Sequence, residues 1–95
     1  MAIAIQMDFK GGTLDQYDQV LQKMGLPRQG QGPTGALFHW VTKTADGVRV
    51  VDVWQDRETF ERFSHEQIEP FTREVGFTDP PAVQFFEVHN YLTAG

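Results

Sequence analysis

Apolar and polar residues alternate from Ala2 to Phe9, with Ile3, Ile5, Met7 and Phe9 in one phase and Ala2, Ala4, Gln6 and Asp8 in the other. Residues two apart on a strand share a face, so this reads as a first strand with one strongly apolar side. Gly11-Gly12 ends it, and the period changes. Thr13 with Gln16 three residues on forms a capping box, and Leu14, Tyr17, Leu21 and Met24 fall on one helical stripe. Gly25 and Pro27 stop that helix, and Leu26 to Gly35 is a Gly/Pro-rich loop with the freedom to act as a lid. Two strands follow around Asp46-Gly47, a strong hairpin signal. With Asp-Gly as the two-residue loop, Ala45 faces Val48, and His39 lies opposite Trp54, Val41 opposite Asp52 and Lys43 opposite Val50. Asp56 caps a second helix whose stripe is Phe60, Phe63, Ile68, Phe71 and Val75. Pro70 should kink or split that helix, because it has no amide hydrogen to give. After Asp79-Pro80-Pro81, Ala82 to Leu92 is the last strand.

Strand, helix, strand, strand, helix, strand is the ferredoxin-like α+β arrangement, a four-stranded antiparallel sheet with both helices on one face. The helices need an apolar sheet face, and Ile3, Ile5, Met7, Val51, Val53, Phe86 and Val88, with Phe38 and Trp40, supply one. The open face then carries Gln6, Asp8, His39, Val41, Asp52, Trp54, Phe85, Glu87, His89 and Tyr91. Solvent alone does not explain its aromatics, and a dry core does not explain its acids and histidines. Apolar walls with a few converging polar groups describe a ligand pocket. Two such sheets face to face would enclose it, so a homodimer through the open sheet face is expected, with a small apolar or aromatic ligand inside.

Composition narrows the classes. At 95 residues the chain is read as one domain, 1–95. Thirteen acidic residues against 8 basic ones, with no basic run, leave no surface for nucleic acid. No apolar run approaches a membrane span, and MAIAIQMDFK is too short and mixed for a signal peptide. The absence of cysteine removes thiol chemistry and fits a reducing cytoplasm.

The run VVDVWQDRETFERF, Val50 to Phe63, resembles the dimeric α+β barrel superfamily, and within it the antibiotic-biosynthesis-monooxygenase-like proteins. The resemblance extends over the whole chain in element order, and its sharpest motif is Asp52-x-Trp54 followed by the Glu58–Phe63 helix start. It implies a homodimer and activities such as cofactor-independent oxygenation of polycyclic quinols, haem degradation, lactone isomerisation or polyketide cyclisation. The haem-degrading branch relies on an Asn in the first strand and an aromatic and a His on the second helix. Here Met7 and Asp8 occupy the strand and Arg62 stands where the helical Trp would fall, so haem degradation is not expected. Many oxygenase-like members carry a His near the start of the second helix, whereas the nearest here, His65, does not match that spacing.

Three functional classes follow. The first is a cofactor-independent enzyme of monooxygenase, isomerase or cyclase type, acting on an aromatic or polyketide-like compound by proton abstraction. In it His39 and Asp52 are the acid/base pair and His89 a second polar contact. Trp54, Phe85, Glu87 and Tyr91 line the substrate pocket. The second is a non-catalytic ligand-binding or sensory module, and the third a structural dimerisation module with a filled interior. His39 and His89 with Asp52 or Glu87 have the chemistry of metal ligands but lack a tight ligand spacing. No metal or other cofactor is expected.

Overall fold

In the computed structural model, which describes residues 1–94, the elements are β1 (Ile3–Lys10), α1 (Leu14–Met24), β2 (Ala36–Lys43), β3 (Gly47–Trp54), α2 (Arg57–Phe63), a π-helical turn (Ser64–Ile68), α3 (Glu69–Val75) and β4 (Ala82–Glu87). The strands form one antiparallel sheet in the order β2-β3-β1-β4. This is the ferredoxin-like α+β topology that the element order predicts. Among the described residues no helix is long and apolar enough to cross a membrane.

Local signals explain the helix ends. Thr13 and Gln16 make the reciprocal capping box, and Gly25 closes α1 in the left-handed conformation that a side chain would disfavour. The second helical run survives Pro70 by changing pitch. The amide of Glu69 bonds back to the carbonyl of Ser64, one residue further than in an α-helix, and Pro70 then opens α3, where a missing donor matters least.

The core corrects the expected division of faces. Ile5, Met7 and Phe9 of β1 are buried as expected, but they share their face with Val48, Val50, Asp52 and Trp54 of β3. His39 and Val41 of β2 lie on this same helix-covered side, as does Phe85, the partner of Ile5. The open face instead carries Phe38, Trp40, Val51, Val53 and Phe86, and its polar members include Arg49 ion-paired to Asp8. The β3 pattern misleads because both phases are apolar and each holds one charge. Asp52 is tolerated inside because both carboxylate oxygens find donors, whereas Arg49 reaches Asp8 at the surface.

The hairpin register also differs. Thr44 donates to the carbonyl of Gly47, so Ala45-Asp46 is the loop, not Asp46-Gly47. Gly47 is needed for another reason: a Cβ there would sit 2.0 Å from the carbonyl oxygen of Phe9. The shift is two residues, so the faces of the hairpin are preserved, but His39 now stands directly opposite Asp52. β4 is shorter than expected and ends at Glu87, opposite Ile3, where β1 runs out as a partner. His89 and Tyr91 therefore lie beyond the strand and are exposed.

Asp56 anchors the helical side. Its carboxylate accepts from the Thr59 amide at 2.7 Å, and this bond holds its pKa below the usual carboxylate value. A depressed folded value means stabilisation that is complete above the unfolded value of about 3.9 and is lost as pH falls through the folded one. Asp56→Asn keeps an acceptor but cannot ionise. The melting temperature of the parent should fall towards that of the variant only below about pH 4; parallel acid profiles would show that the cap carries no linkage.

Candidate active site

The floor of the space between sheet and helices is built by β1 and β3, one side by α1, the other by the α2–α3 run, and the rim by the Leu26–Pro33 part of the loop. It is a cavity of about 430 Å³, within the range of small-molecule sites. Met7, Val48, Val50 and Trp54 make its floor apolar, while Phe63, Ile68 and Thr72 close the helical side. The π-helical turn contributes Ile68.

A chain of hydrogen bonds runs through this cavity. Trp54 Nε1–H donates to Asp52 Oδ2 at 3.1 Å, and His39 Nδ1 lies 2.5 Å from Asp52 Oδ1. Asp52 is 5 % exposed, so its two oxygens depend on these donors. A carboxylate accepts only, which places the His39 proton on Nδ1 and leaves Nε2 of the neutral ring as an acceptor. The hydroxyl of Tyr17 is in hydrogen-bond contact with that Nε2, with the two ring planes nearly parallel at 13°. Indole, carboxylate, imidazole and phenol are thus joined, with every donor matched to an acceptor. The His39 side chain is 40 % exposed, so the chain passes from a buried acid to an accessible base.

Burial pushes the Tyr17 phenol up to about 12, with the charges of Asp52 and Asp18 adding and Arg28 opposing. A raised value means that the folded protein keeps the proton after the unfolded chain has lost it. The associated stability is present below about pH 10 and is lost as pH rises through about 12. In an alkaline titration, a phenolate absorbance should appear near 12 in the parent and be missing from Tyr17→Phe. A Tyr17 phenolate appearing near the ordinary value of about 10 instead would place Tyr17 in solvent.

Of the residues expected at the site, His39, Asp52 and Trp54 line this one cavity. They do so on the helix side of the sheet rather than between two sheets. Phe85 is set apart: it packs edge-on against Phe60, with the Arg57 guanidinium 3.8 Å from its ring centre. Glu87, His89 and Tyr91 are exposed and do not line the cavity. Among the described residues no group of three metal-ligating side chains assembles. Tyr17 joins the site unannounced. In the sequence it is one more member of the apolar α1 stripe, and only the tertiary placement of α1 over β2 gives its hydroxyl a partner.

No family model matches the chain, and no curated protein matches it in sequence. Solved structures do. A monooxygenase encoded by ActVA-Orf6 of Streptomyces coelicolor, solved with the ligand nanaomycin D, superposes with a TM-score of 0.54 at 19% identity, covering 99% of this chain and 92% of that one. SnoaB, a cofactor-independent oxygenase from Streptomyces nogalater, gives a TM-score of 0.60 at 14% identity, covering 98% and 97%. A Deinococcus radiodurans protein classed with the antibiotic biosynthesis monooxygenases gives 0.53 at 12%, covering 100% and 99%. The chain therefore has the α+β fold of the antibiotic-biosynthesis-monooxygenase-like structures, along its whole length.

Proposed function

We propose that the protein is a cofactor-independent enzyme that removes a proton from a flat hydroxylated aromatic or polyketide-like compound. The observation that carries this reading is the Tyr17–His39–Asp52–Trp54 chain opening into a largely apolar cavity. Asp52 holds the His39 ring with Nε2 as its free base, and Trp54 holds Asp52. A ligand hydroxyl, or an acidic C–H beside a carbonyl, gives its proton to this base either directly or through the Tyr17 hydroxyl. In the second route Tyr17 passes its own proton to Nε2 as it takes the ligand's. The electron pair stays on the ligand as a delocalised phenolate or enolate. The fold shared with two oxygenases supports dioxygen as the co-reactant of that anion. For an anthrone the balance is anthrone plus dioxygen to anthraquinone plus water: one oxygen atom enters the ring carbon, and the other leaves with its two hydrogens. The cavity favours ligand binding over the filled interior of a purely structural module.

The test is oxygen uptake and quinone absorbance with anthrones and naphthols, in metal-free buffer without flavin. The parent should exceed the buffer rate, and His39→Gln should lower its turnover by about 10²–10⁴-fold. Binding without turnover would favour the non-catalytic ligand-binding reading of the same cavity.

A second copy of the chain is the partner we propose for the open face. Phe38, Trp40 and Phe86 there are 54%, 45% and 48% exposed, next to Val51 and Val53, a patch more apolar than a lone soluble chain usually presents. Light scattering at micromolar concentration should give twice the chain mass, and Trp40→Glu should shift it towards one chain. A parent with the mass of a single chain would overturn the homodimer.

A further inference from the structure

The proton-transfer chain leaves one polar group of the cavity unused. Arg28, in the loop after α1, lines the rim and is the only lysine or arginine among the described residues that does so. Arg49, Arg57 and Arg62 each pair with a carboxylate, to Asp8, Glu61 and Glu58. Arg28 forms no ion pair among the described residues. Its own loop, Leu26 to Gly35, contains no acid, although the chain holds 13 acids and carries a net charge of −5. The acids that share this region are accounted for. Asp52 is committed to His39 and Trp54, and Asp18 of α1 makes no ion pair with Arg28. Arg28 is nonetheless close enough to the reacting end of the cavity for its charge to act on the Tyr17 hydroxyl.

We infer that Arg28 is the anion-recognising residue of this cavity, and that the ligands it selects are flat aromatic acids. The inference rests on the function proposed above and narrows its substrate class. A guanidinium presents a planar fork of donors that matches a carboxylate, or an ionised hydroxyl beside a carbonyl, and its flat face also stacks on aromatic rings. With the acid held at the rim by Arg28, the rings lie along the apolar floor and the far hydroxyl meets Tyr17 and His39. The same charge favours the anion that proton removal creates. In a protein of net negative charge, a ligand anion is repelled everywhere except where such a cation stands.

Two probes that differ by one carboxylate decide the matter: 2-naphthol and 6-hydroxy-2-naphthoate, whose hydroxyl lies at the far end of the rings from the acid. Their binding is read by quenching of tryptophan fluorescence in the parent, Arg28→Gln and Arg28→Lys. Arg28 is exposed, so neither substitution threatens the fold. The parent should bind the naphthoate more tightly than the naphthol. Arg28→Gln should weaken the naphthoate by about five- to tenfold, allowing for solvent screening at an exposed site, and leave the naphthol unchanged. Arg28→Lys should keep part of the preference, because it keeps the charge but not the fork. Added salt should weaken the naphthoate alone. Equal binding of both probes by the parent, or an equal loss of both in Arg28→Gln, overturns the role of Arg28 while leaving the cavity as a ligand site. Failure of the parent to bind either probe overturns the ligand site itself, and this inference with it.

Discussion

Replacing Trp54 by alanine is expected to lower the unfolding free energy by about 3–5 kcal/mol, the range for deleting a large buried aromatic side chain. The ring is 1% exposed. It meets Phe60 edge-on at 5.8 Å and Phe63 at 5.1 Å, which ties β3 to α2. Its loss removes that packing and leaves Asp52 Oδ2 without its donor, in a site where water is largely excluded. Because Trp54 also floors the cavity, its removal enlarges a space that already exists, and the walls cannot close over it. Trp54→Phe separates the two effects: it keeps much of the packing but drops the N–H. Chemical denaturation of both variants checks this. A loss below about 1 kcal/mol for Trp54→Ala would match the range for surface substitutions and would remove Trp54 from the core.

The contrast with the other tryptophan shows how much of this molecule the sequence displays. A capping box is local, so Thr13 and Gln16 could be read directly, as could the helix start at Asp56. The phase of β1 was legible because only one of its faces is strongly apolar. The phase of β3 was not, since Val51 and Val53 look as suited to the interior as Val48 and Val50. The polar residue in each phase decides it, and that depends on partners from other strands. Asp52 finds His39 on β2, whereas Arg49 finds Asp8 on β1. Trp40 and Trp54 exchange their expected places for the same reason. His39 and Asp52 could still be paired in advance, because a register error of two residues leaves them on one face of the hairpin. Extending the β4 alternation past the point where β1 offers a partner draws in His89 and Tyr91, whereas Glu87 is still paired, opposite Ile3, and is exposed at the end of the strand. Tyr17 carried no signal, for a tyrosine in a helical stripe looks the same whether its hydroxyl meets water or a histidine.

Asp52→Asn should have the largest effect on chemistry, lowering turnover by about 10²–10⁴-fold with little change in ligand affinity. An asparagine fills the same space but offers one acceptor and one donor where Asp52 offers two acceptors. The indole N–H of Trp54 can only donate, so the amide oxygen turns towards it and the amide NH2 faces His39 Nδ1. Nδ1 must then accept, and the imidazole proton moves to Nε2. That nitrogen is the base, and once protonated in the neutral ring it can no longer accept from Tyr17 or from a ligand. The ring keeps its position while losing its function, the same logic by which a triad aspartate sets the tautomer of its histidine. Nitrogen NMR of the His39 ring should show the proton on Nδ1 in the parent and on Nε2 in the variant, and 2-naphthol should bind both alike. This signature separates tautomer control from a structural role, which would alter affinity and stability but not which nitrogen carries the proton. An unchanged tautomer with unchanged turnover would mean that Asp52 does not orient the base, and the proposed proton-transfer chain would end at His39.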